Sequence, residues 1–171
     1  MFYHYTIEMS FHEEIKNKIL SKEAALQKIN LQKSDGKKIV FTNGCFDIIH
    51  PGHVDYLAQA RDLGGVLVLG LNTDASVKRL NKAPNRPINN ELARAAVLAG
   101  MACIDYIILF NEETPYELIK FLQQDVLVKG DDYEVEKIVG YDVVTANGGK
   151  VITIPFLEGF STTKLIEKIL S

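Results

Sequence analysis

Hydrophobic positions follow two regimes along the chain. Up to about residue 36 they recur at helical spacing. Ser10-Phe11-His12-Glu13 has the S-x-x-E form of a capping box, and Phe11, Ile15 and Ile19 follow at i, i+4 and i+8, which predicts a short amphipathic helix. Ser21 predicts the cap of a second helix that turns Ala25, Leu26 and Ile29 inward and ends near Ser34-Asp35-Gly36, where turn formers interrupt the pattern. From Lys37 onward, short apolar runs alternate with amphipathic stretches. The runs Ile39 to Thr42, Val66 to Leu71, Tyr106 to Phe110, Val126 to Val128 and Val151 to Ile154 are continuous and rich in β-branched residues, as strands covered on both faces must be. Between them, helices are predicted near Gly52 to Leu63, Asp74 to Leu80, Asn90 to Met101, Pro115 to Gln123 and Ser161 to Leu170, each beginning at or beside a capping or first-turn residue.

This alternation predicts an α/β fold: a Rossmann-like, doubly wound parallel sheet over 37–171, preceded by a helical N-terminal extension over 1–36. Ligands of such sheets bind outside the carboxyl ends of the strands, so the chemistry is sought at the strand-to-helix junctions.

Composition removes several function classes. The 171 residues are 47% hydrophobic and 24% charged, enough to build a core without metal or disulfide support. No apolar run approaches the roughly 20 residues that cross a bilayer, so no membrane partner is expected. With 19 basic groups against 22 acidic ones, the net charge of −3 lacks the field that gathers polyanions. Nucleic acid is therefore not expected, although a local basic cluster can still hold a small phosphate compound. Cys45 and Cys103 lie far apart with no C-x-x-C spacing, which argues against a zinc site or a disulfide framework and fits a reduced, cytoplasmic setting. Met1 to Met9 lack a basic leader, a long apolar core and a cleavage site, and no signal peptide is expected.

The first junction, Thr42 to His53, follows a buried strand and opens a helix. A helix amino terminus presents unpaired N–H groups and about half a positive charge, a setting that favours phosphate. His50 and His53, at i, i+3, place two imidazoles on one side of the first turn, Gly52 leaves room for close approach, and Gly44 serves the sharp exit from the strand. Paired histidines can also bind zinc, but no third ligand stands at a suitable spacing. At the carboxyl end Ser161-Thr162-Thr163 opens another helix, where one hydroxyl would suffice as a cap and three in a row suit phosphate. Lys129 ends a buried strand before Gly130, so its ammonium should emerge over the ligand crevice.

Gly44-x-Phe46-Asp47-x-x-His50-x-Gly52-His53 resembles the HxGH signature of the nucleotidyltransferase superfamily in the form used by small cytidylyl- and adenylyltransferases, and Gly159-Phe160-Ser161-Thr162-Thr163 resembles that superfamily's second element. Within it the chain, from about Lys38 to Ile169, is similar to the D-glycero-D-manno-heptose 1-phosphate adenylyltransferases. Phe41-Thr42-Asn43-Gly44, Asn72-x-Asp74-Ala75-Ser76, Arg86-Pro87-Ile88-Asn89, Glu112-Glu113-Thr114-Pro115 and Leu127-Val128-Lys129-Gly130 carry that likeness. The similarity covers the transferase half of the ADP-heptose enzyme, and no sugar-kinase half is expected in these residues. Lys129-Gly130-Asp131-Asp132-Tyr133 departs from the Lys-Gly-Gly-Asp-Tyr of that family and is similar to glycerol-3-phosphate cytidylyltransferases. Phe156-Leu157-Glu158-Gly159, in turn, lacks the arginine of the cytidylyl pattern, and Ile166 stands where many superfamily members carry one.

The resemblance implies transfer of an adenylyl group from ATP to heptose 1-phosphate, with a cytidylyltransferase acting on a polyol or amino-alcohol phosphate as the alternative. It implies Mg²⁺ bridging phosphate oxygens, with no side-chain cage for a metal. His50, His53 and Lys129 are implied as the catalytic phosphate contacts. Asn43, Gly44, Cys45, Phe46, Gly52, Arg94, Gly130, Ser161, Thr162 and Thr163 are implied around the nucleotide. Asp47, Asn72, Asp74, Arg86 and Asp132 are implied around the sugar phosphate, Asp47 serving equally well as a brace for the loop. A homodimer stays open.

Overall fold

A computed structural model describes residues 9–81, 85–131 and 134–171. Along the chain lie α1 (Phe11–Lys16), β1 (Ile19–Leu20), α2 (Lys22–Ser34), β2 (Ile39–Gly44), α3 (Pro51–Asp62), β3 (Val66–Asn72), α4 (Asp74–Arg79) and α5 (Glu91–Ala99). They are followed by β4 (Tyr106–Phe110), α6 (Tyr116–Leu122), β5 (Val126–Gly130), a 3₁₀ turn (Val135–Lys137), α7 (Tyr141–Ala146), β6 (Lys150–Ile154) and α8 (Thr162–Leu170). The six strands form one sheet, in the order β1-β4-β3-β2-β5-β6, with every neighbouring pair parallel.

Strand alternation builds the two halves of the core. Val40, Leu67, Leu69, Leu71 and Ile107 point to one face, where Tyr56, Leu57 and Ala60 of α3 and Ala95, Leu98 and Ala99 of α5 cover them. Ile39, Phe41, Val66, Val68 and Ile108 point to the other, under Ala25 and Ile29 of α2 and Leu118, Ile119 and Leu122 of α6. All seven residues of β3 are buried, as an interior strand with helices on both sides requires. At the amino ends of the strands, Asp125 Oδ2 accepts from the Ile39 N–H and Asp105 Oδ2 from the Leu67 N–H, each at 2.7 Å, so these first backbone donors stay satisfied.

The strand order places the site. Growth from β2 proceeds through β3 and β4 on one side, then jumps back across β2 to β5 and β6. The reversal opens a crevice at the carboxyl ends of β2 and β5, the position where open α/β sheets receive ligands.

Three elements differ from the sequence expectation. The capping box of Ser10 and Glu13 forms, but α1 stops at Lys16, where the Asn17 N–H turns back onto the Glu13 and Ile15 carbonyls. Ile19 therefore leaves the helical register and pairs with Ile107 as the edge strand β1, the Lys18 carbonyl accepting from the Ile107 N–H at 2.8 Å. The lead-in thus supplies a strand as well as helices, because the open edge of β4 offers backbone partners that a third helical turn would not. The short α7 was not expected. It starts at Gly140, whose φ of +91° suits glycine alone and where a Cβ would come 2.8 Å from Ile119. Among the described residues no helix is long and apolar enough to cross a membrane.

Gly70 in β3 has no room for a side chain: a Cβ there would sit 2.8 Å from Phe41 Cζ and 3.2 Å from Asn43 Cβ. Gly70→Ala is expected to lose about 1–3 kcal/mol of stability in urea unfolding through overpacking. Wild-type stability would contradict this packing.

Candidate active site

The loop from Gly44 to His50 is shaped by its own residues. A Cβ on Gly44 would come 2.8 Å from the Phe46 ring, which folds back over it, and Phe46 itself takes a left-handed φ of 45°. The turn brings the Phe46 ring to 5.1 Å from His53, tilted by 58°. His50 then caps α3 in an extended conformation, with Pro51 at the first helical position and no cap bond from its side chain. Its imidazole instead stacks on that of His53, centroids 3.8 Å apart and planes within 18°. A Cβ at Gly52 would lie 3.2 Å from the His50 ring and 3.3 Å from Phe160 Cβ. Gly52 thus permits both the stack and the approach of the second element.

That second element arrives as expected at a helix start. Ser161 caps α8, its Oγ accepting from the Lys164 N–H at 3.1 Å. Thr162 Oγ1 donates to the Ile48 carbonyl at 3.4 Å, which ties the start of α8 to the loop before α3, and Thr163 is exposed. Across the β2–β5 crevice, Lys129 Nζ donates to Asn43 Oδ1 at 2.9 Å, and Gly130 is buried at the end of its strand. The structure therefore gathers Asn43, Gly44, Phe46, His50, Gly52, His53, Lys129, Ser161 and Thr162 at one end of the sheet.

The remaining expected residues support this end from beneath. Asp47, 2% exposed, accepts from the Ile88 and Asn89 N–H groups at 2.8–2.9 Å, and its Oδ2 lies 2.5 Å from Arg86 Nε. The Arg86 contact is an ion pair off the N–H axis, since that Nε has no aligned hydrogen-bond partner. Arg94 donates to the Cys45 carbonyl, the Asn89 carbonyl and Asp74 Oδ1. Asn72 donates to Ser76 Oγ at 2.9 Å, and Cys45 Sγ lies 4.0 Å from its Oδ1. Asp47, Asp74, Arg86 and Arg94 thus meet one another's loops with their charges paired, Asp74 keeping 31% of its side chain exposed. Asp132 lies outside the described residues. The sequence reading missed the Ile48 and Asn89 backbone, because a carbonyl's role leaves no mark on residue type. Asn89 did stand within a recognised string, Arg86 to Asn89, and that was the available signal.

Electrostatically the histidine pair is the unusual feature. Nδ1 of both His50 and His53 is buried without a protein partner. Burial lowers the pKa of His50. Burial, then the neighbouring His50, and more weakly the Arg86 charge hold His53 down at about 4, against a lesser upward pull from the Ile48 backbone. His53 is therefore neutral at pH 7, so the stack carries no repulsion between two charged rings. Among the described residues no three His, Cys, Asp or Glu side chains cluster to cage a metal ion.

A parallel sheet with two helix starts meeting over its switch point defines a Rossmann-type α/β protein. The cytidylyltransferase-like family model matches residues 41–168, from β2 into α8, and the chain belongs to that family of nucleotidyltransferase enzymes. The bifunctional protein HldE of Marinomonas sp. is 55% identical over 150 residues, 88% of this chain and 31% of that protein. HldE of Campylobacter jejuni serotype O:2 is 50% identical over 171 residues, 96% of this chain and 35% of that protein. The chain thus spans about a third of the length of these relatives. Among solved structures, a lipopolysaccharide core biosynthesis protein from Thermoplasma volcanium is 27% identical, with a TM-score of 0.59 over 71% of this chain and 98% of that one. Pantoate-beta-alanine ligase from Francisella tularensis, at 15% identity and a TM-score of 0.56 over 88% of this chain and 77% of that one, shares the fold.

The lowered pKa of His53 has a consequence for folding. As pH falls through 6.5, the unfolded chain protonates this imidazole first, while the folded state resists until about 4. The associated stability is present above 6.5 and is lost on acidification through this window, up to about 3 kcal/mol. Unfolding free energy is expected to fall between pH 6.5 and 5, less steeply in His53→Asn. An identical slope in the variant would contradict the burial.

Proposed function

We propose that the protein is an adenylyltransferase that joins ATP and D-glycero-D-manno-heptose 1-phosphate to give ADP-heptose and pyrophosphate. The observation that carries this reading is the His50–His53 stack at the start of α3, in contact through Gly52 and Ile48 with the hydroxyl-rich start of α8. The half-identical HldE relatives support the choice of acceptor and nucleotide. ADP-heptose would serve lipopolysaccharide core assembly from the cytoplasm, where ATP is at hand.

In the proposed reaction a phosphate oxygen of heptose 1-phosphate forms a bond to the α-phosphorus of ATP, and the bond from that phosphorus to the β-bridging oxygen breaks, releasing pyrophosphate. The attacking group is already an anion, so no protein nucleophile or base is required. The protein's task is to align two polyanions and to meet the negative charge that grows on the leaving oxygen. A helix start supplies only about 0.3–1 kcal/mol toward this, whereas one preorganised donor is worth roughly 3–4 kcal/mol. The histidines therefore carry the larger share. An incoming triphosphate raises an imidazole's pKa, so a ring that is neutral in the free protein gains a second N–H and a positive charge when the ligand arrives.

Lys129, fixed over the crevice beside Asn43, adds a charge to the same phosphates, and Ser161, Thr162 and Thr163 offer hydroxyl and backbone donors to their far end. The donor set suits a magnesium ion carried on the nucleotide's own phosphate oxygens, because Asp47 and Asp74 are already paired within the protein.

ATP with Mg²⁺ is expected to raise the melting temperature more than CTP or GTP, and pyrophosphate release is expected to require heptose 1-phosphate. His53→Asn should lower kcat by about 10²–10³-fold. Stabilisation by CTP alone, with turnover of a polyol phosphate, would replace this reading by the cytidylyl alternative.

A further inference from the structure

We infer that Arg94 is a positioning residue, holding three loop ends together so that His50 and His53 face one ligand, and that Asp74 is its counter-ion. The inference rests on the reading of this end of the sheet as a nucleotidyltransferase site. The Arg94 side chain has no solvent exposure, although it stands on the short helix α5. Burying a guanidinium is costly unless its donors are met, and here each of its three nitrogens has a protein partner. Nη1 donates to the Cys45 carbonyl at 2.7 Å, Nε to the Asn89 carbonyl at 3.0 Å and Nη2 to Asp74 Oδ1 at 2.7 Å.

These three contacts come from the loop after β2, the segment before α5 and the first turn of α4. Two of them converge on the histidines. Cys45 lies in the loop that runs directly into His50. Asn89 grips the same loop again, donating from Nδ2 to the Asp47 carbonyl at 2.8 Å and from its backbone N–H to Asp47 Oδ1 at 2.9 Å. Asp47 in turn pairs with Arg86, whose charge acts on His53. Arg94 thus controls the loop at Cys45 directly and at Asp47 through Asn89. With no exposed surface and every nitrogen engaged, it acts on a phosphate ligand only by way of these loops. A lysine can still pair with Asp74, but its single ammonium cannot reach the two carbonyls as the planar fork does.

Arg94→Lys separates positioning from both stability and direct binding, and Asp74→Asn serves as a milder second variant that keeps an acceptor for Nη2. In folded Arg94→Lys, kcat is expected to fall about 10²-fold while the KM for ATP changes by less than about threefold. The imidazole ¹⁵N resonances of His50 and His53, recorded without substrate, are expected to move. Asp74→Asn should shift the same resonances with a smaller loss of kcat. A folded Arg94→Lys with unmoved histidine resonances and wild-type kcat would overturn the proposal, as would one whose ATP KM rises while kcat is retained, the mark of a direct phosphate contact. Failure of both variants to fold would also overturn it, in favour of a purely stabilising network. Because the resonances need no turnover, a wild-type protein inactive with every nucleotide would defeat the functional reading separately from this one.

Discussion

The crevice between β2 and β5 exists because the sheet reverses its direction of growth at β2, and the contact of Lys129 Nζ with Asn43 Oδ1 spans it. Everything chemical is arranged around that reversal. The chain leaving β2 turns sharply through Gly44 and the left-handed Phe46 and delivers His50 as the cap of α3. The chain leaving β6 returns over the same end and sets the start of α8 against Gly52 and Ile48. A sheet that grew in one direction only would cover this edge with consecutive crossovers and leave no such opening.

Much of this was readable from residue pattern, for physical reasons. Strands covered on both faces must be continuously apolar, so the interior strands β2 to β5 announce themselves, while the less buried edge strand β6 shows as a short β-branched run, and Ser10, Ser21, Asn90 and Ser161 mark helix starts because a side-chain oxygen has to meet the first free N–H groups. β1 was not readable. Two residues have no periodicity of their own, and Ile19 continues the helical spacing of Phe11 and Ile15 although its backbone pairs with Ile107. The pairing is a tertiary choice that local pattern does not encode.

At the site, the residue types pointed to phosphate, and the structure brings the histidines and the start of α8 into contact at the end of the sheet where Lys129 meets Asn43. The partition of the other charges was hidden. Asp47, Asp74, Arg86 and Arg94 look in sequence like a set of ligand contacts, yet in space they pair with one another and with the carbonyls of Cys45 and Asn89. Sequence gives the number of charges near a site, while burial decides which of them can turn toward a ligand. Arg94, with no exposed side-chain surface, and Arg86, with a tenth of its own exposed, brace the loops.

The same burial gives the histidines their character. Two imidazoles stacked at 3.8 Å repel each other when both are charged, and removal from water lowers the pKa of each. The most direct measurement is an NMR titration of the His53 imidazole with and without magnesium ATP. A pKa near 4 in the free protein that rises on nucleotide binding is the expected result, whereas an ordinary value near 6.5 in both states would contradict the account.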